Sequence, residues 1–406
     1  MSHQRWSLIS LYTVLFIDAM GIGILMPLLS TALIDPQNHL LISYGDSHFR
    51  NLIYGAVFAV YFISWLFGAS FLGDLSDTTG RKKALMICMA GVSIAYLITA
   101  GAFIVHSLWL LLLGRMIAGL TAGSQPIAQA AITDVSPPDQ LAQSLGYVMF
   151  FFSAGLVGGP IIGGFLSNGH WVSWFSDTTP LYVVTLLSAM NFILIGYSFT
   201  ETSGRHRRIQ LSLTKPIKVL LSAFTHNTVR SLSTAYLFIL MGYNGYYFFI
   251  SVLLIKRFAL DSTMVSVYMA LIGVGLALGT AWLPRHFEHS RLSHRCVILV
   301  NIVLLAISIG LISIVPWVWL IWIITIPLNA AFGLAYTFLV STFSRQVDQT
   351  KQGWVMGITG AILALANTLV NALGVWLNTV DSVGALVLAC VATLLGIVLL
   401  ARYRHY

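Results

Sequence analysis

The chain has 406 residues; 58% are hydrophobic and only 8% are charged, and the formal net charge is +8. A soluble globular domain carries roughly 25% charged residues, so this composition excludes an ordinary water-soluble fold, and with it a disordered or collagen-like chain. The positive balance does not indicate nucleic acid, because the basic residues lie in short loops between long apolar runs and not on one continuous face.

A helix needs about 20 mostly apolar residues to cross a hydrocarbon core of about 30 Å. Twelve such windows are expected. The first, residues 7–33, is too long for a signal peptide and lacks a small-residue cleavage site, so it reads as a spanning helix. Residues 51–72, 84–105, 108–133, 141–166 and 181–200 follow. After a basic, polar connection come residues 230–254, 264–283, 296–315, 317–342, 354–377 and 383–401. Barrel strands would be much shorter and would alternate apolar with polar residues. The expectation is therefore an all-α integral membrane protein with a six-helix bundle over 1–200, a cytoplasmic linker over 201–229 and a second six-helix bundle over 230–406. An offset of 214 residues lays Gly119 on Gly333, Asp134 on Asp348 and Gly146 on Gly360, which suits duplicated halves.

Lysine and arginine set the orientation. With the N-terminus inside, the inner segments hold 17 basic residues and the outer segments three, Arg50, Lys256 and Arg257. Both termini are then cytoplasmic in a multi-pass inner-membrane protein. Cys88, Cys296 and Cys390 fall in apolar runs without ligand-like spacing, so neither a disulfide framework nor a metal site is expected. His39, His48, His106 and His170 lie near outer helix ends or loops and read as interfacial.

Asp18 lies about ten residues into the first window, roughly 15 Å deep at 1.5 Å per residue and near the bilayer midplane. An acid there costs about 2.5–3.5 kcal/mol on insertion scales. Such residues carry protons or partner other charges, and both roles stay open for Asp18. Arg115, the remaining basic residue, falls about 12 Å into the fourth window, at nearly the same height. Pairing with Asp18 and capping of backbone carbonyls are its two open readings.

The connection from Gly73 to Lys83 contains glycines suited to a tight turn, with Asp77 and Arg81 placed to form a charged latch; Lys82 and, after the fourth window, Asp134 complete the charged set. The fifth window carries Gly146, Gly155, Gly158, Gly159, Pro160, Gly163 and Gly164, a spacing that allows close helix approach and, through the Gly-Pro step, a bend.

These motifs resemble those of the major facilitator superfamily, in its twelve-helix drug–proton antiporter group. The segment Gly73 to Lys83 resembles the family's G-x-L-x-D-R-x-G-R-K loop, with Thr78 where an arginine is usual. Gly114-Arg115 through Gly119 and Ala122 resembles its fourth-helix arginine motif, and the Gly146–Gly164 pattern its antiporter signature. Within the group, Asp18 through Pro27, and Ser344 through Asp348 with Gln352-Gly353, resemble bacterial tetracycline exporters. Acids that those exporters carry in the third and ninth helices fall near Ala95 and Leu304, both neutral here, which favours general drug export over tetracycline alone.

The resemblance implies two halves that rock around a central cavity lined by helices 1, 4, 7 and 10. Candidate substrate contacts are then Gln125 and Gln129 on helix 4, Tyr243, Asn244 and Tyr247 on helix 7, Asn329 and Tyr336 on helix 10, and Asn367 on helix 11. Aromatic rings with a few amides suit a flat amphipathic molecule. Asp18 and Arg115 would couple transport to protons. No cofactor is expected, the drive being the proton gradient; the expected partners are a small-molecule substrate and membrane lipid, with no nucleic acid, around a monomer. The chain has no His-Glu-x-x-His, Gly-x-Ser-x-Gly or nucleotide-loop motif to suggest an enzyme. A specific metabolite or siderophore transporter of the same superfamily, including an importer, and a non-transporting membrane receptor stay open.

Overall fold

The computed structural model describes residues 2–34, 47–136, 141–169, 172–201, 214–288, 293–347, 352–378 and 383–402, all helices and connections without a strand. In chain order the helices are α1 (Ser2–Ile34), α2 (Ser47–Thr79), α3 (Arg81–Ile104), α4 (Leu108–Thr121), α5 (Ser124–Val135), α6 (Leu141–Leu166), α7 (Thr179–Ser198), α8 (Thr214–Thr225), α9 (Arg230–Phe258) and α10 (Ser262–Ala277). A wide turn over Leu278–Trp282 leads to α11 (Leu283–Glu288), followed by α12 (His294–Ile314), α13 (Val318–Arg345), α14 (Gln352–Asn378) and α15 (Gly384–Arg402). Among the described residues ten helical spans are long and apolar enough to cross a membrane. The other two expected spans are the α4–α5 pair and α6, whose Phe150–Leu166 stretch is apolar.

The polypeptide forms two compact units. One takes in α1 through Ala32, α2 from Val60 onward, and α3 to α7. Within it α3 packs along α4 and α7. The second takes in the first part of α2, through Ala59, and α8 to α15. Here α9 is central, flanked by α14 and α15, while α13 packs on α10 and α12. Tyr54, near the start of α2, donates to the Phe248 carbonyl at 2.8 Å and fixes that segment to α9.

Several hydroxyl side chains within the spans satisfy themselves locally, as an apolar solvent favours. Thr99, Ser188, Thr325 and Thr393 each donate to the carbonyl four residues earlier. Polar residues close the helix starts: Ser107 accepts from the Leu110 amide, Asp261 from that of Met264 and Ser293 from that of Cys296.

Two expectations are corrected. The second helix does not stop near residue 72 but runs to Thr79, so Gly73 lies inside a helix and only Gly80 makes the turn. The fourth window is two helices, not one. Pro126, in the first turn of α5, has no N–H to give the Ala122 carbonyl, and the chain breaks at Ala122-Gly123. The indole of Trp65 donates to that orphaned carbonyl at 2.7 Å. Within the expected linker lies a further helix, α8, which at 12 residues is too short to cross a membrane. Asp348, His39 and His170, with residues 202–213 of the linker, lie outside the described residues.

Candidate functional site

Asp18 is half-buried midway along α1, and its Oδ2 accepts a hydrogen bond from the Ser124 hydroxyl at 2.5 Å. Ser124 is the first residue of α5, immediately after the break in the fourth segment, and is 1% exposed. The carboxylate thus meets a half-helix at its N-terminal end, where backbone N–H groups lack partners within the helix and favour negative charge.

Arg115 has different partners, and the direct ion pair with Asp18 is not formed. Its Nη2 donates to the Thr99 hydroxyl at 3.0 Å, its guanidinium lies 5.2 Å from the centre of the Tyr96 ring, and its Nε has no hydrogen-bond partner among the described residues. The side chain is 2% exposed. The two charges are linked through tyrosines instead. Tyr61 and Tyr96 each interact electrostatically with both Asp18 and Arg115, and a Cβ on Gly21, one turn beyond Asp18, would strike the Tyr96 hydroxyl. Arg115 is therefore a buried cation stabilised by an aromatic face and a hydroxyl.

The glycine-rich helix α6 supplies the rear wall. A Cβ on Gly155 would meet the Phe16 carbonyl, one on Gly159 would lie 2.5 Å from the Met20 carbonyl, and one on Gly163 would lie 3.3 Å from Ile24. These three glycines, with Pro160 against Gly23, let α6 lie backbone to backbone on α1 along the stretch that holds Asp18. Gly158 meets only a side chain of its own helix, Gly164 is buried, and the surroundings of Gly146 lie outside the described residues.

At the other end of α3, Gly80 adopts φ +105°, a conformation that favours glycine, and a Cβ there would collide with the Glu201 carboxylate. Glu201 instead receives the first amides of α3: Arg81 N donates to Oε1 at 2.8 Å and Lys82 N to Oε2 at 3.2 Å. The expected latch between Asp77 and Arg81 is present but long, at 3.8 Å, whereas Arg81 Nε donates to Asp134 at 2.5 Å. Lys82 Nζ reaches the Gly196 carbonyl at 2.7 Å. Gly73 has open space around its would-be Cβ and takes no part in the turn.

Of the expected substrate contacts, Gln125 and Gln129 are half-buried on α5. The helix break lies between them and Arg115, so an uninterrupted helical register no longer relates their faces to that of Arg115. In the second unit Tyr243, Asn329, Tyr246 and Tyr268 form a buried network. Tyr243 donates to Asn329 Oδ1 at 2.9 Å, Asn329 Nδ2 donates to Tyr246 at 3.4 Å, and the Tyr246 and Tyr268 hydroxyls lie 3.1 Å apart. The Tyr243 ring stacks on Phe332, with centroids 3.4 Å apart. Tyr247 and Tyr336 are half-buried beside this network. Asn244 Nδ2, Asn367 Oδ1 and Asn371 Oδ1 are buried without hydrogen-bond partners among the described residues.

Sequence reasoning missed Ser124, Tyr96, Trp65 and Glu201. The run Gly123-Ser124-Gln125-Pro126 carries a readable signal, a helix start inside an apolar window. Tyr96 and Trp65 had none, being aromatic residues within apolar runs.

Comparison with known proteins bears on the family and the fold. The profile of the Major Facilitator Superfamily matches residues 11–371. The chain is 27% identical over 369 residues to the class E tetracycline resistance protein of Escherichia coli, covering 87% of this chain and 83% of that protein. It is 31% identical over 186 residues to the quinolone resistance protein NorA of Staphylococcus aureus, 45% of this chain and 42% of that one. The crystal structure of a D-xylose–proton symporter has the same fold, with a TM-score of 0.74 at 15% identity over 99% of this chain and 98% of that one.

Proposed function

Because the chain belongs to the Major Facilitator Superfamily, we propose that it is a secondary active transporter that exports small amphipathic organic compounds in exchange for protons. It lies in the inner membrane with both termini in the cytoplasm. The relatives named for tetracycline and quinolone resistance support export of drugs. The excess of lysine and arginine in the inner segments supports the orientation.

The observation that carries the coupling is Asp18: a half-buried acid deep in a spanning helix, bonded to a hydroxyl at a helix break and to no cation among the described residues. A permanent ion pair would keep a carboxylate ionised, whereas a carboxylate held by one hydroxyl can take up a proton without abandoning a buried partner charge. In the ionised state Ser124 donates to Asp18. When Asp18 is protonated its own O–H needs an acceptor, so the contact with the start of α5 must be rebuilt. Proton binding is in this way tied to a discontinuous helix, a common location for coupling sites in transporters. Tyr96 carries the effect to Arg115. In the second unit, Tyr247 and Tyr336 offer aromatic faces to a substrate, and the unpartnered amide atoms of Asn244 and Asn367 offer polar contacts.

One proton entering down 100 mV and one pH unit releases about 3.7 kcal/mol, which supports a gradient of roughly 500-fold for a neutral substrate. For a monovalent cation only the pH difference remains, and the limit is about tenfold.

The test is proton release from purified protein on addition of tetracycline-like and quinolone-like drugs, comparing wild type with Asp18→Asn. Release that vanishes in the variant is the expected result. Release that persists removes Asp18 as the carrier. Drug-independent behaviour in both proteins, together with accumulation of drug in expressing cells, overturns export.

A further inference from the structure

The helix between the two bundles, α8, has three distinct faces. Pro216, Val219 and Ala223, spaced i, i+3 and i+7, turn toward the protein; Pro216 and Ala223 are buried, and Val219 lies 3.6 Å from the position a Cβ on Gly357 would take. Ile217, Leu220, Leu221 and Phe224, spaced i, i+3, i+4 and i+7, form a second, apolar stripe that nothing among the described residues covers fully. Ile217 is 44% and Leu221 58% exposed, while Leu220 and Phe224 are half-buried. Lys215 and Lys218 occupy the third face, both exposed, and the helix contains no acid.

The position of α8 is fixed by Trp354. The indole of this residue, in the first turn of α14, donates to Ser222 at 3.2 Å and packs edge-on to His226 at 5.0 Å. Tryptophan concentrates at the membrane–water boundary. The first residue of α9, the exposed Arg230, follows shortly after α8 ends at Thr225. Thus α8 lies where two spanning helices start, at the height of headgroups and not of bulk water. An exposed apolar stripe at that height, on a helix that carries two lysines and no acid of its own, matches one surface in both polarity and charge.

We propose that α8 is an interfacial helix that lies on the cytoplasmic leaflet, with Ile217, Leu220, Leu221 and Phe224 at the acyl-chain boundary and Lys215 and Lys218 on anionic phospholipid headgroups. It would anchor the linker, and so the start of α9 and of α14, to the bilayer. The side of the membrane rests on the orientation proposed above; the interfacial placement does not depend on what is transported.

The test uses the full chain in vesicles of phosphatidylethanolamine and phosphatidylglycerol, with the exposed Cys296 replaced by serine and single spin labels placed by Leu221→Cys, Lys218→Cys and Thr225→Cys. All three sites are exposed, so the labels leave the packed face of α8 untouched. The expected result is a Leu221 label that collides with oxygen in preference to a water-soluble nickel chelate, at a depth of about 5–10 Å below the headgroup boundary, with labels at 218 and 225 reversed. A label at 221 as open to nickel as that at 225 overturns the proposal. So does one shielded from both reagents, which would mean that protein covers the stripe. In a second arm, Lys215→Gln/Lys218→Gln lowers the preference for phosphatidylglycerol over phosphatidylcholine about 30-fold, the loss expected for two basic residues near a charged surface. An unchanged preference overturns the headgroup contact. Neither arm measures transport, so failure here leaves the export reading standing.

Discussion

Ser124 donates to Asp18 across 2.5 Å at the point where the fourth spanning segment breaks. The break leaves Ser124 at the start of a helix, and the acid takes the hydroxyl that results. A hydrogen bond to an ionised group is worth about 1.5–3 kcal/mol. Ser124→Ala should therefore reduce proton-coupled transport by roughly 10- to 100-fold, with Ser124→Thr, which keeps the hydroxyl, restoring most of it. Drug-driven proton flux in proteoliposomes measures this. Equal loss in both variants would mean that side-chain volume at position 124, not the donor, matters.

Two glycines of the same loop motif should behave oppositely. Gly73 lies within α2 with open space where a Cβ would go. Gly73→Ala should be tolerated and should raise stability by about 0.5–1 kcal/mol, the ordinary gain of alanine over glycine in a helix. Gly80 has φ +105° and the Glu201 carboxylate beside it. Gly80→Ala should displace Glu201 and lower the yield of folded protein. Thermal denaturation of the two variants in detergent separates them, and a destabilised Gly73→Ala would show that the motif needs glycine there for a reason the ground structure lacks.

Much of this was legible in the sequence, for physical reasons. Apolar length alone identifies spans, because a bilayer admits helices and closed barrels only; Asp18 stands out because an acid in such a run is costly. What the sequence withheld concerns partners. Depth placed Asp18 and Arg115 at similar heights, yet their direct pairing depended on which side chains fill the space between, and that space holds Tyr96. Glu201 was hidden for a related reason: it opens the linker, and only folding brings it to the start of α3, 120 positions earlier. Asn329 read as a substrate contact by residue type, while the structure surrounds it with tyrosine hydroxyls.

Glu201 binds the first two amides of α3 with both carboxylate oxygens. A side-chain cap of this kind is worth about 1 kcal/mol, and negative charge at a helix start adds to it. Glu201→Gln should retain part of the cap and Glu201→Ala none. Amide hydrogen exchange at residues 81–83 should thus quicken in the order wild type, Gln, Ala. Arg81 would keep its bond to Asp134 in both variants, so exchange across the rest of α3 should stay as in wild type. A uniform rise along α3 would instead mean that Glu201 supports the whole helix.

Tyr243 and Tyr247 are one turn apart on α9, yet they should fail in different ways. Tyr243 is 5% exposed and its hydroxyl satisfies Asn329 Oδ1, whose residue is fully buried. Tyr243→Phe removes the donor, keeps the ring stacked on Phe332, and leaves that oxygen unpaired at a cost of about 1–3 kcal/mol. The expected outcome is a lower melting temperature with KM for drug little changed. Tyr247 is half-buried, so Tyr247→Leu should raise KM and leave the melting temperature near wild type, because an aromatic face offered to substrate contributes little to packing. Measuring both quantities on both variants decides the assignment. A raised KM with unaltered melting in Tyr243→Phe would make the buried network a binding surface, and Asn329 with it.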